Sequence, residues 1–219
     1  MSGARPSQTA ASLQRRSTIL DAARSLITER GVDKLVIADV AERASVSVAT
    51  IYNLVGTRDR LLIALLDDVA DRVRRQLASR PAAGGIEGCV QVVTTACETV
   101  LADASTVRSV LASVGAAAPD QWLTEGMGGV IRDRVDAAVE FGHIGVDLPP
   151  AAITHGIHLG FRGALISWVF GLLDDDELAP NAELMALHVL ANAAAPKQRS
   201  AAQRRLQELA NALSTKDIS

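Results

Sequence analysis

Aromatic side chains are nearly missing: three phenylalanines, two tryptophans and one tyrosine make up 3% of the 219 residues. Sheets favour aromatic and β-branched residues, whereas the alanine and leucine that abound here are strong helix formers, so the scarcity argues against a β-rich fold. Cysteine is limited to Cys89 and Cys97. Eight residues along a helix separate Cα atoms by about 12 Å, beyond disulfide reach. That excludes a disulfide-stapled scaffold and predicts reduced, buried thiols of a cytoplasmic protein. The longest apolar run, residues 157–173, contains His158 and Arg162, so a membrane span is not expected. The opening MSGARPSQTAASLQRR has no apolar signal core, so secretion is not expected.

What is present is a chain that can bury a core, with 48% hydrophobic residues, and a charge asymmetry hidden under a net −3. Residues 1–60 carry nine basic and six acidic side chains; the remainder carries thirteen and nineteen. A basic N-terminal module on an acidic body fits a polyanion-binding head attached to a domain of another kind. Apolar residues recur with helical spacing. Ile19, Leu20, Ala23, Leu26 and Ile27 make one face of a helix that Gly31 ends. Short helices follow over 37–44 and from about Ser47 to Val55. A long one carries Leu61, Leu65, Val69, Val73 and Leu77 until Pro81 and Gly84-Gly85 stop it. Helices are predicted over 86–103, 105–114, 119–141 (broken near Gly126–Gly129), 149–173, 181–195 and 198–213. The acidic run Asp174–Glu177 is expected to be a solvated loop. The fold class is therefore all-α.

A short helix, a turn and a second short helix at 37–55, with one supporting helix before and a long connector after, is helix-turn-helix spacing. Within it stands SVSVATIYNLV, residues 45–55, which holds no charge. Residues 15–66 resemble the N-terminal domain of the tetracycline-repressor (TetR) family of transcriptional regulators. The match is carried in order by Ile19-Leu20-Asp21-Ala22-Ala23, Glu29-Arg30-Gly31, Asp39-Val40-Ala41, Val46-Ser47, Thr50-Ile51-Tyr52, Gly56-Thr57-Arg58 and Leu61-Leu62. The resemblance implies a homodimeric regulator, most often a repressor, that binds an inverted-repeat operator in double-stranded DNA. It also implies a divergent C-terminal domain that dimerises and takes a small-molecule effector. The expected domains are a flexible basic arm at 1–14, a helix-turn-helix domain at 15–56, a helical ligand-binding and dimerisation domain at 57–196, and an amphipathic tail helix at 197–219. Three positions depart from the family pattern: Ser45 where glycine is usual in the turn, Val36 for a capping hydroxyl, and Ala38 for a polar phosphate contact.

Within the third helix Val46, Ile51 and Val55 continue the apolar face, which leaves Ser47, Val48, Ala49, Thr50, Tyr52 and Asn53 to meet DNA. A reading helix can be neutral when its neighbours grip phosphate, because base edges, not phosphates, carry sequence. Arg58, Arg15 and Arg16 are assigned that grip. In the body, Trp122, Phe141, His158, Phe161, Arg162 and Trp168 suit a largely apolar ligand pocket with a polar anchor. Gly156, Gly160, Gly163, Ser167 and Gly171 fall at intervals of four, three, four and four, a side-chain-poor stripe expected to admit the partner helix of a dimer. His155 and His158 have zinc-compatible spacing, but no cysteine or acidic residue accompanies them in sequence, so neither metal nor cofactor is expected. An enzyme would need a nucleophile–base pair, a phosphate loop or metal-ligand spacing, and none is found. The alternative class is a helical dimerisation or scaffold protein with weakened DNA binding.

Overall fold

The structure is a computed structural model that describes residues 10–81, 83–114, 126–145 and 147–216. Among them the order is α1 (Ala10–Arg30), α2 (Ile37–Arg43), α3 (Val48–Leu54), α4 (Arg58–Ser79), α5 (Gly85–Leu101), α6 (Ala104–Val114), α7 (Gly128–Glu140), α8 (Pro150–Val169), α9 (Asp175–Ala193) and α10 (Pro196–Lys216), with a 3-10 turn at Val32–Lys34. No strand occurs among the described residues; an isolated bridge joins Ile144 to Ala194. The protein is all-α. Nor is any helix among these residues long and apolar enough to cross a membrane.

The chain separates into two compact units, Met1–Leu66 with Ser105–Ala118 and Asp67–Ala104 with Pro119–Ser219. In the first, Ile19, Leu20, Ala23, Leu26 and Ile27 of α1 are all buried, together with Val40 and Ala41 of α2, Ile51 of α3 and Leu61, Leu62, Leu65 and Leu66 of α4. α1 packs on α2 and α3. It starts at Ala10, so residues 10–14, expected within a flexible arm, are helical; residues 1–9 lie outside the described residues.

In the second unit α9 packs against α5, α8 and α10, and α7 packs against α5 and α8. α9 begins at Asp175, six residues before the predicted start. The acidic run is not a loop: Asp174 is the N-cap and forms a capping box with Glu177, so both satisfy free N–H groups at the helix end. Carboxylates in the first turn also suit the helix dipole. The helix then continues through Pro180. α8 closes earlier than predicted. Leu172 N–H donates to Ser167 O at 2.8 Å and Gly171 N–H to Trp168 O at 3.1 Å, with Gly171 at φ 72. This crossed pair is a Schellman closure, which needs a left-handed residue at that point. Cys89 and Cys97 are free and buried, and burial pushes both thiols up to about 12.

Candidate nucleic-acid interface and ligand residues

α2 ends in the same kind of closure with serine where glycine is easier. Val46 N–H donates to Ala41 O at 3.0 Å and Ser45 N–H to Glu42 O at 3.1 Å. Ser45 has φ 53, the one non-glycine residue with positive φ among those described. The turn delivers the chain to Ser47, the N-cap of α3. Its hydroxyl accepts from Thr50 N–H at 3.1 Å and lies 2.8 Å from the Thr50 hydroxyl. Ser47 and Thr50 therefore fix the start of the helix, while Ile51 is fully buried. Val48, Ala49, Tyr52 and Asn53 are left exposed on one side of α3, Tyr52 by 54%. The uncharged stretch is an outward face on a pinned helix.

The cations around it divide into two groups. Arg43 donates Nη1 and Nη2 to the two carboxylate oxygens of Glu29 at 2.5 and 2.7 Å, and Nη1 also reaches Ser25 Oγ at 2.7 Å. Glu29 is held down at about 2, chiefly by the hydrogen bonds from Arg43. Arg30 pairs with Asp39 at 2.8 Å. These two pairs tie α1 to α2. Arg58 donates Nε to Leu35 O at 3.1 Å and Nη2 to Val32 O at 2.7 Å. Its fork is thus fixed on the carbonyls before α2, whereas the sequence reading assigns it to phosphate. Arg15 is exposed and Arg16 half-buried, both on α1. Arg60 and Lys34 are exposed as well. Val36 and Ala38 stand exposed and offer no side-chain donor.

Of the residues assigned to a ligand, Trp122 lies outside the described residues. His158, Phe161 and Trp168 share the buried face of α8, and Arg162 is half-buried. Trp168 is fully buried and donates Nε1 to Asp175 at 2.8 Å, which binds the end of α8 to the start of α9. Phe141 is not in the core. It is the C-cap of α7, turned outward by the left-handed Gly142 that follows, and is 72% exposed. His158 N–H chemistry is shifted toward the neutral form, by burial first and then by His155 and Arg162.

The glycine stripe is used inside the chain. A Cβ on Gly160 would stand 2.7 Å from Met185 Cβ, and one on Gly156 would stand 3.1 Å from Val189 Cγ2, both on α9. Their missing side chains let α8 and α9 approach each other. Gly163 has open space around it, and Gly171 ends the helix. The exposed side of α8 carries Leu159, Gly163, Ile166 and Phe170 instead.

The tail helix also finds its surface. Ala202 and Leu206 of α10 pack with Ala191, Ala194 and Ile86, and Arg205 bonds to Glu183 at 2.6 Å and to Glu87. A cavity of about 220 Å³ lies there, lined by Gly85, Glu87, His143, Leu187, Gln198 and Arg205 among others. None of the assigned ligand residues borders it. Arg205 and Glu87 pair with each other in its wall, while His143 Nδ1 is buried without a hydrogen bond among the described residues.

A neutral exposed helix, pinned by a capped N-terminus and a tight turn, with its partner helices locked by ion pairs, defines a helix-turn-helix DNA-binding module on a helical body. Residues 19–65 match the bacterial regulatory proteins of the tetR family. No curated protein matches the chain significantly. Among solved structures, RolR in complex with the ligand resorcinol is similar at 22% identity over 90% of this chain and 95% of RolR, with a TM-score of 0.56. The R. erythropolis transcriptional repressor QsdR is 21% identical over 81% of this chain and 94% of its own, TM-score 0.56. A TetR transcriptional regulator from Rhodococcus sp. RHA1 is 18% identical over 82% and 98%, TM-score 0.63. At these identities the likeness shows the fold. The family match itself covers the reading module, residues 19–65, which is that of the tetR-family DNA-binding regulators.

Proposed function

We propose that the chain is a homodimeric repressor that leaves an inverted-repeat operator when a small, mostly apolar ligand enters its helical body. The observation that carries this reading is the outward face of Val48, Ala49, Tyr52 and Asn53 on a helix whose position is fixed by the Ser47 cap and the Ser45 turn. Asparagine can bond adenine bidentately and small apolar side chains can pack on thymine methyls, so this face reads A·T pairs. Two such heads on a twofold dimer require an inverted repeat. Dimerisation through α8 and α9 is supported by their surface. Five of the eleven large apolar side chains exposed among the described residues are Leu159, Ile166, Phe170, Leu172 and Met185, a concentration that marks an association surface. An apolar effector is supported by the buried Phe161 and His158, and by RolR, a protein of similar fold solved in complex with the ligand resorcinol. By linkage, a ligand lowers DNA affinity only by favouring a dimer geometry that DNA does not.

The competing reading, a helical dimer with weakened DNA binding, draws support from one feature. Arg43 and Arg58 are engaged within the module, and Val36 and Ala38 offer phosphate nothing. A mobility-shift titration against DNA flanking the gene separates the two. The repressor reading expects specific affinity at least a hundredfold above that for scrambled DNA, whereas the scaffold reading expects no preference.

A further inference from the structure

Two polar atoms on the buried face of α8 have no partner. Thr154 and His158 are each only 5% exposed, and Thr154 Oγ1 and His158 Nε2 are buried with no hydrogen-bond partner among the described residues. They are four residues apart, so they neighbour each other along the helix. At about 100° per residue, Thr154, His158, Phe161 and Leu165 fall within a roughly 60° arc of α8. Gly156 and Gly160, which admit α9, lie on a different side. Buried hydroxyls and imidazoles are almost always bonded, because the water they gave up must be replaced. An adjacent unbonded pair beside Phe161 and Leu165 has the composition of a ligand site, mostly apolar walls with a few convergent polar groups. Elsewhere in the second unit Thr95 and Thr99 are hydrogen-bonded, to Arg80 and to Gln76 and the Thr95 carbonyl, while Gln91 Oε1 and His143 Nδ1 are also buried without a bond but do not lie a turn apart on one helix.

We infer that Thr154 and His158 form the polar anchor of the effector site, and that the effector is a small, mostly apolar molecule carrying a hydroxyl group. This rests on the effector reading above. A hydroxyl both donates and accepts, so it can satisfy a threonine hydroxyl and one imidazole nitrogen at once, whichever tautomer the ring adopts. A carboxylate would have to shed its water beside an imidazole that burial keeps neutral, which is costly. A hydrocarbon would leave both atoms unbonded. The anchor also has a cost in the empty protein: a site left unsatisfied for its ligand lowers ligand-free stability.

The test uses the full chain and four probes, phenol, 2-naphthol, toluene and benzoate, titrated by ligand-observed NMR against wild type, Thr154→Val and His158→Phe. The hydroxyl probes should bind at least tenfold more tightly than toluene or benzoate, and each variant should lose that tenfold. Thr154→Val keeps the shape and deletes the unbonded hydroxyl, so its ligand-free melting temperature should equal or exceed that of wild type. The inference is overturned if no hydroxyl probe binds, if toluene or benzoate binds as well, or if the variants bind like wild type. A fall of several degrees in the Thr154→Val melting temperature also overturns it, because the hydroxyl would then already have a partner. DNA release is scored separately. Hydroxyl-dependent binding that leaves operator affinity unchanged sustains the site and removes its effector role.

Discussion

Arg43 and Glu29 are joined at two points, both guanidinium ends meeting both carboxylate oxygens across fourteen residues of chain. The pair fastens the end of α2 to α1 through an ionised carboxylate. Arg43 brings the Glu29 carboxyl from about 4.5 to about 2. A group whose folded-state value is depressed contributes stability above its unfolded value and loses it as pH falls through the folded one. Glu29→Gln should therefore melt below wild type at pH 7. The gap should stay open down to about pH 4.5 and close as pH falls through about 2, followed by circular dichroism. A gap of constant size across that range would show that the charge pair contributes nothing.

Ser45 sits at φ 53 where a Cβ is crowded. The left-handed region costs an L-residue about 1–2 kcal/mol, and glycine gives back part of that through its greater chain entropy when unfolded. Ser45→Gly should stabilise the protein by about 0.5–1 kcal/mol, read as a raised melting temperature. Ser45→Ala should not. An equal response to both substitutions would place the strain elsewhere.

How far the sequence disclosed this molecule depends on the kind of signal. Ile19 to Ile27 and Leu61 to Leu66 advertise their burial through period, because an amphipathic helix must repeat its apolar face, and the structure buries them. Ser45 was legible through the resemblance, which sets a glycine, and with it a left-handed residue, at that turn position. The use of a residue whose partner is distant in sequence was not legible. Gly156 and Gly160 show in sequence that a side chain is absent, but not that Met185 and Val189 fill the space. Arg58 reads as a surface cation until the carbonyls of Val32 and Leu35 are seen to occupy its fork. The acidic run after residue 173 carries the charges of a loop and of a helix start alike, and only its capping box decides.

Arg58 gives a prediction that separates bracing from gripping. Two fixed carbonyl bonds need a planar fork, which lysine's single ammonium cannot reproduce. Arg58→Lys and Arg58→Ala should both lower the melting temperature and weaken DNA binding, with the salt dependence of binding unchanged. A phosphate contact would behave otherwise: alanine would reduce the salt slope by about one, and lysine would restore it.

The two sides of α8 should respond differently to substitution. Gly160→Ala forces a Cβ to within 2.7 Å of Met185 Cβ, and overpacking of this kind costs about 1–3 kcal/mol. It should lower folding stability. Ile166→Glu, on the exposed side, should leave the fold intact by circular dichroism and shift sedimentation from dimer to monomer. If Ile166→Glu sediments as a stable dimer, the association surface is not the exposed side of α8.

Asn53 tests the neutral face itself. It is exposed on α3 beside Val48, Ala49 and Tyr52, and the helix that carries it is fixed at its start by Ser47. Asparagine can bond adenine through two hydrogen bonds in the major groove, and under the proposed reading such a bidentate contact would discriminate by about 1–3 kcal/mol. Asn53→Ala should therefore weaken binding to the operator by that amount and change binding to scrambled duplex little. It removes no charge, so the salt slope should stay the same on both DNAs. Titrating wild type and variant against both duplexes at several salt concentrations reads these quantities together. Equal weakening on the two duplexes would make Asn53 a backbone contact. The discrimination would then have to come from Tyr52 or from the shape of the DNA, since Val48 and Ala49 can recognise only the thymine methyl.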